Sequence, residues 1–155
     1  MRVLCAIGLR GGPEMVRRVL AVAGTRSDLV LLHVIDAGPH HELERLRSPL
    51  RPRPPHGPAR DRAIGAAEEE AGRQALDEAA REAEQHGLRP VMRLTEGRPA
   101  EMITAVARGE NVDLIAIRAR ERDGHPPRGP GSVGHTARYV LDHAACDVLL
   151  LREVL

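Results

Sequence analysis

The sequence predicts an α/β fold. It is read as one doubly wound domain, residues 1–155, with a five-stranded parallel sheet in the order 3-2-1-4-5 and helices on both faces. Three observations lead there. Four short apolar runs lack polar alternation, as do strands buried on both faces of a parallel sheet. The segments between them carry apolar residues at helical spacing. A chain of 155 residues suits a single packed core.

The elements follow in order. Val3–Ile7 is the first strand. Pro13–Ala23 is a helix whose Met15, Val16, Val19, Leu20, Val22 and Ala23 form one broad apolar face, closed by Gly24. Leu29–Ile35 is the second strand. Ala59–His86 is a long Ala/Glu/Arg-rich helix, supported by Glu69–Arg73 and Asp77–Arg81 at i,i+4 and stopped at Gly87. Pro90–Leu94, with one polar position, reads as an edge strand. Pro99–Arg108 starts with proline in its first turn and aligns Met102, Ile103, Val106 and Ala107. Leu114–Ile117 is the fourth strand, Val133–His143 the last helix and Val148–Leu151 the last strand. Right-handed crossovers then put the ligand crevice where strands 1 and 4 diverge, after Ile7 and Ile117. Cys5 and Cys146 would lie two strand spacings apart, ~9–10 Å, too far for a disulfide.

Composition removes several functions. All 23 basic residues are arginine; the chain has no Lys, Phe or Trp, and Tyr139 is its single aromatic residue of the Phe/Trp/Tyr class. Without lysine there is no Walker-A loop, protein-kinase core or Schiff-base enzyme. Without aromatics there is no base-stacking RNA platform, and a net charge of +1 gives no global attraction to nucleic acid. The bias has the pattern of coding by a GC-rich genome. No stretch approaches the ~20 apolar residues that span a bilayer, and no segment reads as an export signal. A cytoplasmic protein with no membrane partner is the expectation.

Two loops interrupt the pattern. Residues 36–60 hold six of the twelve prolines and five arginines, Arg45, Arg47, Arg51, Arg53 and Arg60. This Pro/Arg-rich insertion is read as a solvated linker, with a basic arm for an anionic partner as the sharper alternative. His40-His41 with Glu42 and Glu44 lacks a third ligand at known spacing, so no metal site is assigned. The second loop, Arg118–Pro130, leads into Gly131-Ser132-Val133. Ser132 reads as an N-cap, and a helix start at the carboxyl end of strand 4 is a ready anion site. His143, near the end of that helix, complements its dipole. No Ser-His-Asp or Cys-His set is present, so no catalytic residues are assigned.

Together these segments resemble the universal stress protein domain. The resemblance is carried by Val3-Leu4-Cys5-Ala6-Ile7, Leu31-Leu32-His33-Val34, Gly97-Arg98-Pro99, Asp113-Leu114-Ile115-Ala116-Ile117, Gly131-Ser132-Val133 and the run Val140–Arg152. It covers almost the whole chain in order. It implies a Rossmann-like sheet of the adenine-nucleotide alpha-hydrolase type, and a homodimer joined through the last strand, Val148 to Arg152. Many members bind ATP through a glycine signature after strand 4: Gly, two residues, Gly, nine residues, then Gly-Ser or Gly-Thr.

Here the spacing back from Gly131-Ser132 is intact, but the first two glycine positions hold Arg118 and Glu121. The family's acidic residue at the end of strand 1 falls on Gly8. Arg118 brings a long side chain where backbone should approach ribose and phosphate, Glu121 brings negative charge, and Gly8 removes a carboxylate. Gly131, Ser132 and Val133 match the signature, Gly129 sits in the same turn, and Val34 would line the adenine side. Two outcomes stay open. Either ATP or AMP binding, with any accompanying Mg, is weak or lost, or Arg118, Arg120, Arg122 and Arg128 build a different anion pocket. The resemblance therefore implies a binding or regulatory module in the stress response, with an unknown protein partner, rather than an enzyme. The alternative it leaves is an adenine-nucleotide binder with slow hydrolysis.

Overall fold

The structure, a computed structural model, describes residues 1–38, 58–119 and 129–152. Among them are five strands, β1 Arg2–Ala6, β2 Asp28–Asp36, β3 Val91–Gly97, β4 Leu114–Arg118 and β5 Asp147–Leu151. The helices between them are α1 Gly12–Ala23, α2 Pro58–Gln85, α3 Pro99–Gly109 and α4 His135–His143. The strands form one sheet in the order β3-β2-β1-β4-β5, every pair parallel, which is the predicted order.

Alternation along the strands sorts the core into two layers. Val3, Cys5, Leu29 and Leu31 pack on one face against Met15, Val16, Val19 and Leu20 of α1 and Leu76 of α2. Leu4, Val30, Leu32, Ile115 and Ile117 pack on the other, against Ile103 and Ala107 of α3 and Ala137 and Val140 of α4. Helix α2 reaches this core through small residues. Ala75, Ala79 and Ala83 recur one turn apart and are almost completely buried. A Cβ placed on Gly12 would stand 3.1 Å from the Cβ of Ala79, so α1 and α2 are in contact with no room between them. No residue of α2 from Ala59 to Ala71 is buried, so its first half stands beside the carboxyl edge of the sheet rather than in the core.

The differences from the predicted elements are local. β2 and β3 pair over seven residues, from Val30↔Val91 to Asp36↔Gly97, so β3 continues through Thr95 and Glu96 beyond the apolar run. Cross-strand pairing, not side-chain polarity, sets its end. Helix α4 begins at His135 rather than Val133, because Gly134 holds φ 85° at its N-cap. Ser132 therefore does not cap the helix. The exposed pair Glu69–Arg73 forms as expected. Both cysteines are free; Cys5 is on β1, Cys146 immediately precedes β5, and β4 lies between those strands. Burial pushes the Cys5 thiol up to about 12. Most of the insertion read at 36–60, including His40, His41, Glu42 and Glu44, lies outside the described residues.

Candidate functional site

The two helices that flank the crevice leave the sheet on opposite faces: α1 follows β1 into one core layer and α4 follows β4 into the other. Their connections diverge at the carboxyl edge between β1 and β4, the topological switch point at which open α/β sheets hold ligands. What fills this point is Arg118. Its alternation with Leu114 and Ala116 turns its side chain toward the α1 face. There the guanidinium donates to the Gly11 carbonyl at 2.6 Å and approaches Glu14 at 3.4 Å. The Arg118 side chain is 21% exposed and that of Glu14 48%, so the bond to Gly11 is partly buried while the ion pair is open to water.

Gly11 is shaped by this contact. It caps α1 in the left-handed region with φ 69°, its carbonyl also accepts from the Met15 amide at 3.0 Å, and a Cβ on it would fall 2.5–2.7 Å from the guanidinium. Gly8, at the end of β1, is the opposite case. The nearest atom to a Cβ there is 3.9 Å away. Packing would admit a side chain at Gly8; the missing carboxylate is a choice of sequence rather than a steric demand.

Beyond β4, residues 129–134 form a turn with three glycines at positive φ, Gly129 at 84°, Gly131 at 80° and Gly134 at 85°. The Ser132 amide donates to the Gly129 carbonyl at 3.2 Å, which closes the turn. Ser132 is buried, and its hydroxyl accepts from Arg152 at 3.2 Å. Arg152 in turn receives Arg18 on its carbonyl at 2.6 Å, so the turn, the end of β5 and α1 are linked in series. Val133 packs against the α3/α4 layer. At the end of α4, the His143 ring donates from Nδ1 to the Tyr139 carbonyl at 2.9 Å and stacks on the Tyr139 ring, with centroids 3.9 Å apart.

Among the described residues, two cavities open at this edge. One of about 470 Å³ is bounded by Arg118, Val133 and the first turn of α4 at Gly134, His135 and Thr136. The second, of about 550 Å³, lies over the end of β2, between Val34 and the first half of α2. Of the predicted residues, Arg118 and Val133 thus share one cavity and Val34 lines the other. Gly129, Gly131 and Ser132 build the turn, and Gly8 stands at the end of β1. Glu121, Arg120, Arg122 and Arg128 lie outside the described residues. Among the described residues, no group of three His, Cys, Asp or Glu side chains is placed to hold a metal ion, and no helix is long and apolar enough to cross a membrane.

Sequence reasoning missed four participants. Gly11 and Glu14 are the partners of Arg118, and Arg152 is that of Ser132. His33 is the fourth: it is 8% exposed, and its Nδ1 donates to the Ile7 carbonyl at 2.8 Å. A signal existed for His33, since a lone imidazole in the unbroken run Leu29–Ile35 must be buried with a partner.

A parallel sheet in this order, with a glycine-serine turn feeding a helix beside the switch point, defines a Rossmann-like domain. The family model described as the universal stress protein family matches residues 1–152, and the chain belongs to that family. Solved structures resemble it over nearly their whole length. The universal stress protein UspA from Lactobacillus plantarum is 21% identical, with 98% of this chain and 97% of that chain covered and a TM-score of 0.70. A universal stress protein family protein from Arabidopsis thaliana with AMP bound is 15% identical, with 99% and 92% covered and a TM-score of 0.62. The universal stress protein from Archaeoglobus fulgidus in complex with dAMP is 17% identical, with 97% and 96% covered and a TM-score of 0.61. At these identities the likeness shows the fold. None of the curated proteins compared matches this chain in sequence.

Proposed function

We propose that this chain is a cytoplasmic, homodimeric universal stress protein that serves the stress response as a binding and regulatory module, not as an enzyme, and that its ATP site is impaired. One observation carries the reading: the Arg118 guanidinium is bonded across the switch point to Gly11 and Glu14. The family's signature wants bare backbone at that position. An arginine already satisfied by a carbonyl and a carboxylate is withdrawn from service as a phosphate clamp, and its stem occupies the approach. Gly8 offers no acceptor for a ribose hydroxyl, although there is space for one.

Dimerisation is assigned to Val148–Arg152. β5 is an edge strand of the single chain and carries the run Val-Leu-Leu-Leu, with no charge inside it to discourage pairing. A second reading, binding of AMP or of ATP with its Mg and at most slow hydrolysis, is favoured by the cavity of about 470 Å³ that persists beside Arg118. The similar structures that hold AMP and dAMP favour it too.

Mass spectrometry of freshly purified, denatured protein separates the two. The impaired site predicts no stoichiometric nucleotide, and ATP titration should show at least tenfold tighter binding once Arg118→Gly and Glu121→Gly are combined. Recovery of ATP or AMP at near one per chain would overturn it.

A further inference from the structure

The β5 edge of the sheet carries a pairing rule of its own. Toward β4, the Asp147 amide donates to the Asp113 carbonyl at 3.3 Å, and the Leu151 carbonyl accepts from the Ala119 amide at 2.9 Å. A strand residue sends its N–H and C=O to one side, and the next residue sends them to the other. Asp147, Leu149 and Leu151 therefore bond to β4. Val148, Leu150 and Arg152 turn their backbone groups to the side where, among the described residues, no strand lies.

One of those outward acceptors is already taken. Arg18 of α1 donates to the Arg152 carbonyl at 2.6 Å, and Glu14 steadies its guanidinium at 3.8 Å. The Arg152 side chain is bonded to Ser132 at 3.2 Å. The end of β5 is thus fastened to α1 by its backbone and to the Gly-Ser turn by its side chain. Before it, Val148, Leu149 and Leu150 stay half-buried, Leu149 on the α1/α2 face and the other two on the α3/α4 face.

We propose that Arg18 fixes the register in which a second copy pairs with β5: antiparallel, with the two-fold axis at Leu149. The inference rests on the assignment of the dimer to this strand, and adds where the two strands meet and what decides it. Strands related by a two-fold axis oppose residues of the same face, so the axis passes through a residue and not between two. Centred on Leu149, Val148 exchanges backbone bonds with Leu150 of the partner subunit, and the two ends of β5, Asp147 and Leu151, lie equally far from the axis. Centred on Leu150, Val148 would need the Arg152 carbonyl that Arg18 holds. Centred on Val148, Leu150 would have to bond to Cys146, which lies outside the strand.

Single cysteines in the full chain read the register, in a Cys146→Ser background; Cys5 is buried and does not compete. Residues that face themselves across the axis have Cα atoms ~4.5 Å apart in a non-hydrogen-bonded pair and ~5.5 Å in a hydrogen-bonded one, both within disulfide reach. Under mild oxidation Leu149→Cys should form covalent dimers at least tenfold faster than Leu150→Cys, whose thiols would stand two residues, ~7 Å, out of step. Mixed Val148→Cys and Leu150→Cys chains should cross-link to each other rather than to themselves, which reads the same register with Leu149 intact. Arg18→Ala should raise cross-linking through Leu150→Cys at least fivefold, and Arg18→Lys, which keeps a donor, should leave it low. Sedimentation separates the two ways of failing. A dimer that cross-links through Leu150→Cys as fast as through Leu149→Cys, or that ignores Arg18→Ala, would overturn the register alone. A monomer, or a dimer that cross-links through none of these positions, would overturn the dimer assignment and the register with it.

Discussion

Two strand-to-helix turns stand side by side at the carboxyl edge of the sheet, and they are built to opposite ends. Both begin a helix on a glycine at positive φ, Gly11 and Gly134, and neither uses a side-chain cap. The β1–α1 turn is closed. Gly12 touches Ala79, Gly11 is pressed against the Arg118 guanidinium, and the Gly11 carbonyl accepts twice. Among the described residues the β4–α4 turn is open: a Cβ on Gly129 or Gly131 would meet none of their atoms within 4 Å, and a cavity of about 470 Å³ lies beside it. A glycine kept for contact and a glycine kept for backbone angle are thus neighbours here, and only the second kind leaves room for a ligand.

The largest effect should come from crowding the closed turn. Gly12→Val forces a branched side chain between α1 and α2, where Ala79, the Ala75 carbonyl and Ile7 already lie within 3.4 Å. Overpacking of this kind should lower stability by about 3 kcal/mol in urea unfolding. A loss below ~1 kcal/mol would mean the helices can part.

Next is the latch. Arg118→Ala removes a charge-assisted bond to Gly11 and leaves its carbonyl with the Met15 amide alone; about 1.5 kcal/mol should be lost. The same variant should bind ATP more tightly than the parent if the latch is what excludes the nucleotide. Stability unchanged with affinity unchanged would remove Arg118 from both roles.

In the open turn, Gly131→Ala meets no neighbour among the described residues but must hold φ near 80°, so about 1 kcal/mol is expected from backbone alone. A cost near that of Gly12→Val would erase the distinction between the two turns.

The smallest effect is read through its pH dependence. At the opposite edge of the sheet Arg93 and Arg2 converge on Glu110, and the hydrogen bond from Arg93, foremost, holds the carboxyl below its usual range. A depressed carboxyl contributes stability that is fully present above the unfolded value, about 4.3, and is lost as pH falls through the folded one. Glu110→Gln should lower stability at pH 7, where the ionised carboxylate contributes in full, and flatten the decline below about pH 4, so that the two proteins converge in acid. An equally steep acid limb in the variant would show that the ion pair does not couple to folding.

Much of this was legible in the chain. Val3–Ile7, Leu29–Ile35 and Leu114–Ile117 are unbroken apolar runs because both faces of β1, β2 and β4 are covered, and that coverage fixes an interior place for each. The pairing of β3 beyond Leu94 was not legible, since its polar end is held by backbone bonds to β2. Arg118 was visible as a departure from the glycine signature, but its partners were not. Period-two alternation with Leu114 and Ala116 would have pointed it at the α1 face, away from the α4 turn that follows it in sequence. Ser132 misled because Gly134, two residues later, punctuates the chain more strongly than a serine caps it.

The stacked pair at the end of α4 has a practical consequence. Tyr139 is the sole phenol in a chain without indole, and its ring lies flat on His143, an imidazole bonded to its own carbonyl. Near-ultraviolet dichroism and intrinsic emission of the whole molecule therefore report one helix. That helix begins at the open turn, so an optical signal with no background already watches the element that an occupant of the neighbouring cavity would touch first.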